Sequence, residues 1–305
     1  MIYYDYIPLK KLVTIAKIAL VVGCCFFLFG KINERPTVAY SQLISCIPLL
    51  LFFSLLNWGF EILKWKLLVQ TETAIDFKEA TQQCLIAHTA SVVTPNKIGE
   101  YGAKAYFFKK TKAKKILFLN FIGNSYQMLV TTLFGSLGIL YSASLWSLFS
   151  FDIEWFGLLV SILVVLLLVS YKMGWLLKGK TQFKNITRKT HIAIFSISVL
   201  RYLLFSSQFL LLLALLGNTA DFAHTYPLIW IVYLFSSMIP SFALVEFTVK
   251  GSLAVFIFSS LQMSSVSIVA TSFLMWFLNY AVPAVVGIFY TLHYKSTQRY
   301  GTAID

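Results

Sequence analysis

The sequence predicts an all-α, polytopic integral membrane protein, and three observations carry that reading. Hydrophobic residues make up 58% of the 305-residue chain and charged residues only 12%, about half the charged share of an ordinary soluble domain. The apolar residues fall in runs of about 20, the length a helix needs to cross a bilayer. Two further apolar regions, near 79–108 and 226–262, are each broken midway by a proline and a polar cluster.

The unbroken runs lie near 11–30, 42–63, 116–141, 154–172, 190–216 and 267–292, so about six full spans are expected. The first resembles a secretory signal only superficially. Its apolar stretch continues to Gly30 without a small-x-small cleavage site, and it reads as a retained helix with Tyr3, Tyr4 and Tyr6 near the interface. No segment between the runs exceeds roughly 20 residues, too short for an independent core. Residues 1–305 therefore read as one membrane domain.

Lysines and arginines orient the spans, because cytoplasmic connections carry the excess of positive charge. Lys10, Lys11 and Lys17 place the N-terminus inside. The run KKTKAKK from Lys109 to Lys115, and the stretch 172–189 with six basic residues and no acid, are cytoplasmic by the same rule. The connections 142–153 and 217–226 carry Asp152 and Asp221 and no lysine or arginine, and are external. Lys295 and Arg299 put the C-terminus inside. Parity then requires each broken region to return to the side it started from, the first from the cytoplasm and the second from outside. A re-entrant hairpin or a pair of full spans satisfies that requirement equally. The location this implies is the cell membrane, multi-pass, with both termini cytoplasmic.

The two broken regions resemble each other. Glu-Tyr-Gly-Ala-Lys at 100–104 follows Pro95, and Glu-Phe-Thr-Val-Lys at 246–250 follows Pro240. Each copy follows two spans and precedes one, and the halves, about 1–145 and 146–305, start on opposite sides. That is the pattern of an inverted-topology repeat, in which broken elements meet near the midplane and line a substrate site.

The motif TPNKIGEYGAK resembles the T-P-x-x-(I/L)-G-E motif of the lysylphosphatidylglycerol synthase transmembrane region, the flippase-like membrane family. IPSFALVEFTVKG is similar to that family's second, P-x-x-x-x-x-E motif. The resemblance implies a lipid transporter and marks Thr94, Pro95, Gly99, Gly102 and Pro240 as motif or hinge positions, with Gly99 and Gly102 allowing close packing. The family often has glycines after both prolines, whereas this chain has Asn96 and Lys97 after the first and Ser241 and Phe242 after the second, so the lipid itself does not carry over. The soluble aminoacyltransferase that some members add is not expected in a chain ending at Asp305.

Charge at bilayer depth costs roughly 2.5–3.5 kcal/mol per residue even on permissive scales. Glu100 with Lys104, and Glu246 with Lys250, are four apart and share a helix face if a helix begins near Ile98. Each pair reads either as a structural salt bridge or as part of a site in which the lysines bind an anionic headgroup and the glutamates orient them. Arg201, deep in the fifth run, is a third cation for that headgroup or a partner for a glutamate. Asn120, Asn124 and Gln127 on one face of the third run, and Asn279 in the last, line a pathway or bond neighbouring helices. His88 reads as a hydrogen-bonded packing residue.

The net charge of +13 sits beside apolar segments, which favours topology and anionic lipid contact over nucleic acid. Cys24, Cys25, Cys46 and Cys84 have no CxxC spacing, so no metal and no cofactor is expected. The expected partners are membrane lipids, either anionic or aminoacylated phospholipids or a lipid-linked phosphate. The leading expectation is translocation of such a headgroup through a central polar cavity. The alternatives are a membrane enzyme on a lipid-linked substrate, with Glu100 or Glu246 as general base, and an accessory subunit of a separate transferase.

Overall fold

A computed structural model describes residues 22–30, 40–92, 94, 97–142, 186–217, 221–239, 246–261 and 263–301, and every regular element among them is helical. In chain order these are α1 (Tyr40–Val69), α2 (Phe77–Val92), α3 (Ile98–Tyr106), α4 (Ala113–Tyr141), α5 (Arg188–Leu215), α6 (Phe222–Met238), α7 (Glu246–Phe258) and α8 (Ser265–Trp276). A π-helical segment, Phe277–Ala281, then joins α8 to α9 (Val282–Gly301). Residues 22–30 form a further helical piece that packs on α7, where Ser252 donates to the Cys24 carbonyl at 3.3 Å.

Among the described residues three stretches are long and apolar enough to cross a membrane: Leu43–Val69, Arg188–Leu215 and Ser265–Tyr294. They match the expected spans at 42–63, 190–216 and 267–292, and they support a helical membrane protein. The expected span at 116–141 forms a 29-residue helix, α4, but is not among the three; Asn120, Asn124 and Gln127 dilute its apolar content. The expected span at 154–172, most of that at 11–30, and Pro95 and Pro240 lie outside the described residues. Large apolar side chains such as Leu55, Phe121 and Phe289 face outward, as lipid-facing positions do.

Both broken regions are helix–break–helix elements, α2–α3 and α6–α7. Their arms have 16, 9, 17 and 13 residues, each short of the ~20 that a full crossing needs. Each first arm starts on an aspartate cap, which satisfies otherwise orphaned N–H groups. Asp76 accepts from the Glu79 N–H at 2.6 Å while Glu79 accepts from the Asp76 N–H at 3.1 Å, a reciprocal capping box. Asp221 accepts from the Ala223 N–H at 3.1 Å.

Side-chain bonds show which ends of the helices meet. Lys112, just before α4, donates to the Glu72 carbonyl and to Thr73, and Lys115 pairs with Glu72 at 3.0 Å. The chain therefore leaves α3 beside the turn from which it entered α2. Likewise Ser267 of α8 donates to the Leu216 carbonyl at the end of α5 at 2.8 Å, so α7 exits beside the entry to α6. Helices α1 and α5 run antiparallel, because Glu61 meets Arg201 while Leu50 and Ser54 meet Gln208. The two helix–break–helix elements consequently enter from opposite ends of the bundle.

The packing repeats with the halves exchanged. Helix α2 lies on α9, and α6 lies on α4; α3 contacts α4, and α7 contacts α8. Both of the first two interfaces close on glycine. A Cβ at Gly287 of α9 would fall on the Leu85 carbonyl oxygen and Thr89 Oγ1, and one at Gly138 of α4 would sit 2.6 Å from the Pro227 carbonyl oxygen. Small residues let backbones approach where no hydrophobic drive presses helices together.

Two apolar clusters frame the centre. One gathers Tyr202, Phe209, Leu228, Ile231, Val255 and Phe258 with Leu50 of α1. The other gathers Ile62, Trp65, Leu68, Cys84 and Ile116 with Ile194 of α5. Between them, on the facing strips of α1 and α5, lie Asn57, Glu61 and Arg201.

Candidate functional site

Thr94 joins the arms of the first helix–break–helix element. Its hydroxyl accepts from the Gly99 N–H at 2.8 Å and lies within donating range of the Ala90 and Ser91 carbonyls, at 3.3 and 3.2 Å. A Cβ on Gly99 would fall on the Ala90 carbonyl oxygen and 2.7 Å from Thr94 Oγ1, whereas a Cβ on Gly102 would meet nothing within 4 Å. Close approach therefore requires glycine at 99 alone, and the expectation for Gly102 is corrected. Lys97 holds φ 57°, ψ 25° at the start of α3, the left-handed region that an L-residue enters only under constraint.

Helix α3 begins at Ile98, which meets the condition for a shared face, and it turns Glu100 and Lys104 to one side. Lys104 is buried and donates to Glu100 Oε1 at 2.7 Å and to Asn120 Oδ1 at 2.8 Å. Its ammonium also lies 4.0 Å from Glu61 Oε1 and 4.3 Å from the Trp65 ring centroid, a cation–π position. Glu61 in turn pairs with Lys64 at 2.7 Å and with Arg201. Two carboxylates, Glu61 and Glu100, thus face three cations, Lys64, Lys104 and Arg201.

Amides extend this cluster into the second half. Arg201 Nε donates to Asn57 Oδ1 at 2.8 Å, Asn57 to Asn279 at 2.9 Å, and Asn279 to Gln208 at 2.8 Å. Asn279 lies in the π segment, whose i→i+5 register leaves carbonyls for other donors. Trp58 Nε1 donates to the Asn279 carbonyl at 3.1 Å, and His88 Nε2 to the Tyr280 carbonyl at 3.0 Å. His88 also packs edge-on against Trp58 and Tyr280, so it is a hydrogen-bonded packing residue.

The second pair repeats the first in spacing. Lys250 donates to Glu246 Oε1 at 2.7 Å, and its ammonium lies 5.5 Å from the Tyr233 ring centroid. The other oxygen, Glu246 Oε2, lies 3.1 Å from Lys97 Nζ. One residue from each helix–break–helix element therefore meets across the halves, and a single carboxylate faces two cations.

Arg201 is thus placed with a glutamate partner, and Asn120 and Asn279 bond neighbouring helices. Asn124 donates to the Tyr101 hydroxyl at 3.0 Å. The Gln127 amide nitrogen and oxygen are both buried and find no hydrogen-bond partner among the described residues. Glu61, Lys64, Asn57, Gln208 and Lys97 were not among the expected site residues. Asn57, Glu61 and Lys64 recur at spacings of four and three, one face of a helix; that periodicity within an apolar run was the available signal.

Among the described residues no group of three or more potential metal ligands comes together. Comparison with protein-family models, with curated proteins and with solved structures gives no match.

Proposed function

We propose that this chain is a membrane lipid transporter that carries an anionic or aminoacylated lipid headgroup through a polar passage between its two helix–break–helix elements, the acyl chains remaining in the bilayer. The observation that carries the reading is the junction of Lys97 with Glu246. There the N-terminal ends of α3 and α7 meet, and cations outnumber carboxylates both at the junction and in the adjoining Glu61 cluster. Intramembrane charge is costly and is ordinarily functional, and a surplus of cations suits a phosphate.

The topology supports the same reading. Arms shorter than a span that return to their own end act as re-entrant hairpins. Their entry from opposite ends, together with packing that repeats on exchanging halves, supports reading the chain as the inverted repeat of an alternating-access transporter. Lys66, the 109–115 lysines, Arg188 and Lys189 collect at one end of α1, α4 and α5, which supports a cytoplasmic reading of that end. The motif resemblance to flippase-like proteins points the same way.

The test is reconstitution of the purified protein into liposomes with fluorescent headgroup analogues of phosphatidylglycerol, lysylphosphatidylglycerol and phosphatidylcholine, followed by chemical quenching of the outer leaflet. Protein-dependent loss of protection for the anionic or aminoacylated probes supports transport. Full protection across the panel overturns it.

A further inference from the structure

The motif lysines are not equivalent as phosphate ligands. The Lys104 side chain is only 3% exposed, and Glu100, Asn120, Glu61 and the Trp65 ring occupy its surroundings. A phosphate has no route to that ammonium except by breaking several contacts at once. Lys64 and Arg201 are likewise engaged by Glu61.

Lys97 differs on every count. Its side chain is 44% exposed, and its backbone is held in the left-handed region. Its ammonium pairs with Glu246 Oε2 at 3.1 Å, across the two halves. The ammonium also lies 5.0 Å from the Tyr280 ring centroid, and the Tyr280 hydroxyl is fixed by a hydrogen bond with Ser91 at 3.1 Å. Lys250, 28% exposed, stands on the far oxygen of the same carboxylate.

Resting on the transport reading above, we propose that Lys97 is the residue that receives the phosphate of the headgroup, and that it does so by exchanging Glu246 for the incoming anion. Two lysines around one glutamate leave one positive charge, the complement of a singly ionised phosphodiester. Glu246 keeps its directed bond to Lys250 when Lys97 lets go, so no carboxylate is stranded by the exchange. Because Lys97 and Glu246 belong to different halves, the ligand also breaks a link between them. Binding at the junction and separation of the two helix–break–helix elements are then one event, the differential contact that a ligand-driven rearrangement requires. This lysine stands where the flippase-like motif often has glycine, so the exchange is a property of this chain's own residues.

Full-length protein in nonionic detergent is titrated with short-chain phosphatidylglycerol and phosphatidylcholine, read by native mass spectrometry, and with inorganic phosphate, read by calorimetry. Lys97→Gln is expected to weaken phosphatidylglycerol binding about tenfold, the loss of one charge-assisted hydrogen bond. Lys97→Arg retains binding, Glu246→Gln strengthens it, and the double variant Lys97→Gln/Glu246→Gln behaves as Lys97→Gln. Zwitterionic phosphatidylcholine binds more weakly and shows no dependence on Lys97. Equal phosphatidylglycerol binding by wild type and Lys97→Gln, at matched unfolding temperatures, overturns the proposal. So does unchanged binding by Glu246→Gln, the decisive variant if Lys97→Gln does not fold. Binding of inorganic phosphate through Lys97 without binding of phosphatidylglycerol keeps the phosphate site and overturns the lipid reading. Headgroup translocation that is indifferent to Lys97→Gln keeps the transport reading and overturns this one.

Discussion

The pairs Glu100–Lys104 and Glu246–Lys250 share residue types, an i,i+4 spacing and a 2.7 Å contact, but not surroundings. The first lies between α3 and α4 with its lysine buried under Trp65 and bonded to Asn120. The second opens on the junction between halves, where Lys97 shares its glutamate. A repeated motif therefore serves two ends: in one copy it anchors a short helix, and in the other it leaves a carboxylate exchangeable. Neither role follows from the pair itself. What decides it is whether the rest of the helix bundle supplies further partners.

If the first pair is an anchor, removing its lysine has the largest effect. Lys104→Met leaves Glu100 without an ion-pair partner in a site where both groups are largely covered. Stranding one member of a buried pair costs roughly 3–5 kcal/mol. The check is chemical or thermal unfolding in detergent, monitored by tryptophan fluorescence through Trp65, which lies against the lysine. A loss under about 1 kcal/mol would put this pair in the class of exposed, replaceable bridges and remove the contrast with its counterpart.

Steric effects come next. Gly99→Ala drives a Cβ into the Ala90 carbonyl, a backbone atom that cannot swing away, and overpacking of this kind costs about 1–3 kcal/mol. Gly102→Ala meets open space, so the helix gains roughly 0.4–1 kcal/mol from the lost backbone freedom of the unfolded chain. Two glycines three residues apart should thus move the unfolding temperature in opposite directions. Gly287→Ala, which places its Cβ on the Leu85 carbonyl between α9 and α2, falls in the same destabilising range. It tests whether the first helix–break–helix element depends on the opposite half for support.

The helical membrane character and three of the six expected spans were legible because apolar run length is a strong signal that acts locally. Three apolar helices and both i,i+4 pairs follow from such patterns. The centre of the site was less legible. Glu61 sits toward the C-terminal end of α1 beside Lys64 and Lys66, where charge reads as a topology marker, although it gathers cations from three helices. Gln208 is concealed in a leucine-rich stretch, and only the crossing of α1 and α5 shows that it bonds Ser54 and the Leu50 carbonyl. Lys97 registered as a departure from a motif rather than as a functional group, because its partner is 149 positions away in the other half. Ion networks across antiparallel helices have no period in the sequence.

The smallest effect on stability is expected where the effect on ligand is of interest. Lys250→Met removes a lysine that is more than a quarter exposed, and the Glu246 it leaves behind still faces Lys97 at 3.1 Å. The charge stays compensated, so the cost is that of a partly exposed bridge, below about 1 kcal/mol. The junction, however, loses its surplus charge: one lysine then faces one glutamate, and an incoming anion must strip Lys97 from a carboxylate with no second partner. Phosphatidylglycerol affinity should therefore fall while the unfolding temperature holds, a split that Lys104→Met cannot show because that variant loses stability first. A Lys250→Met protein that unfolds as easily as Lys104→Met would mean that the two pairs are equivalent anchors. The difference in exposure would then carry no consequence for binding.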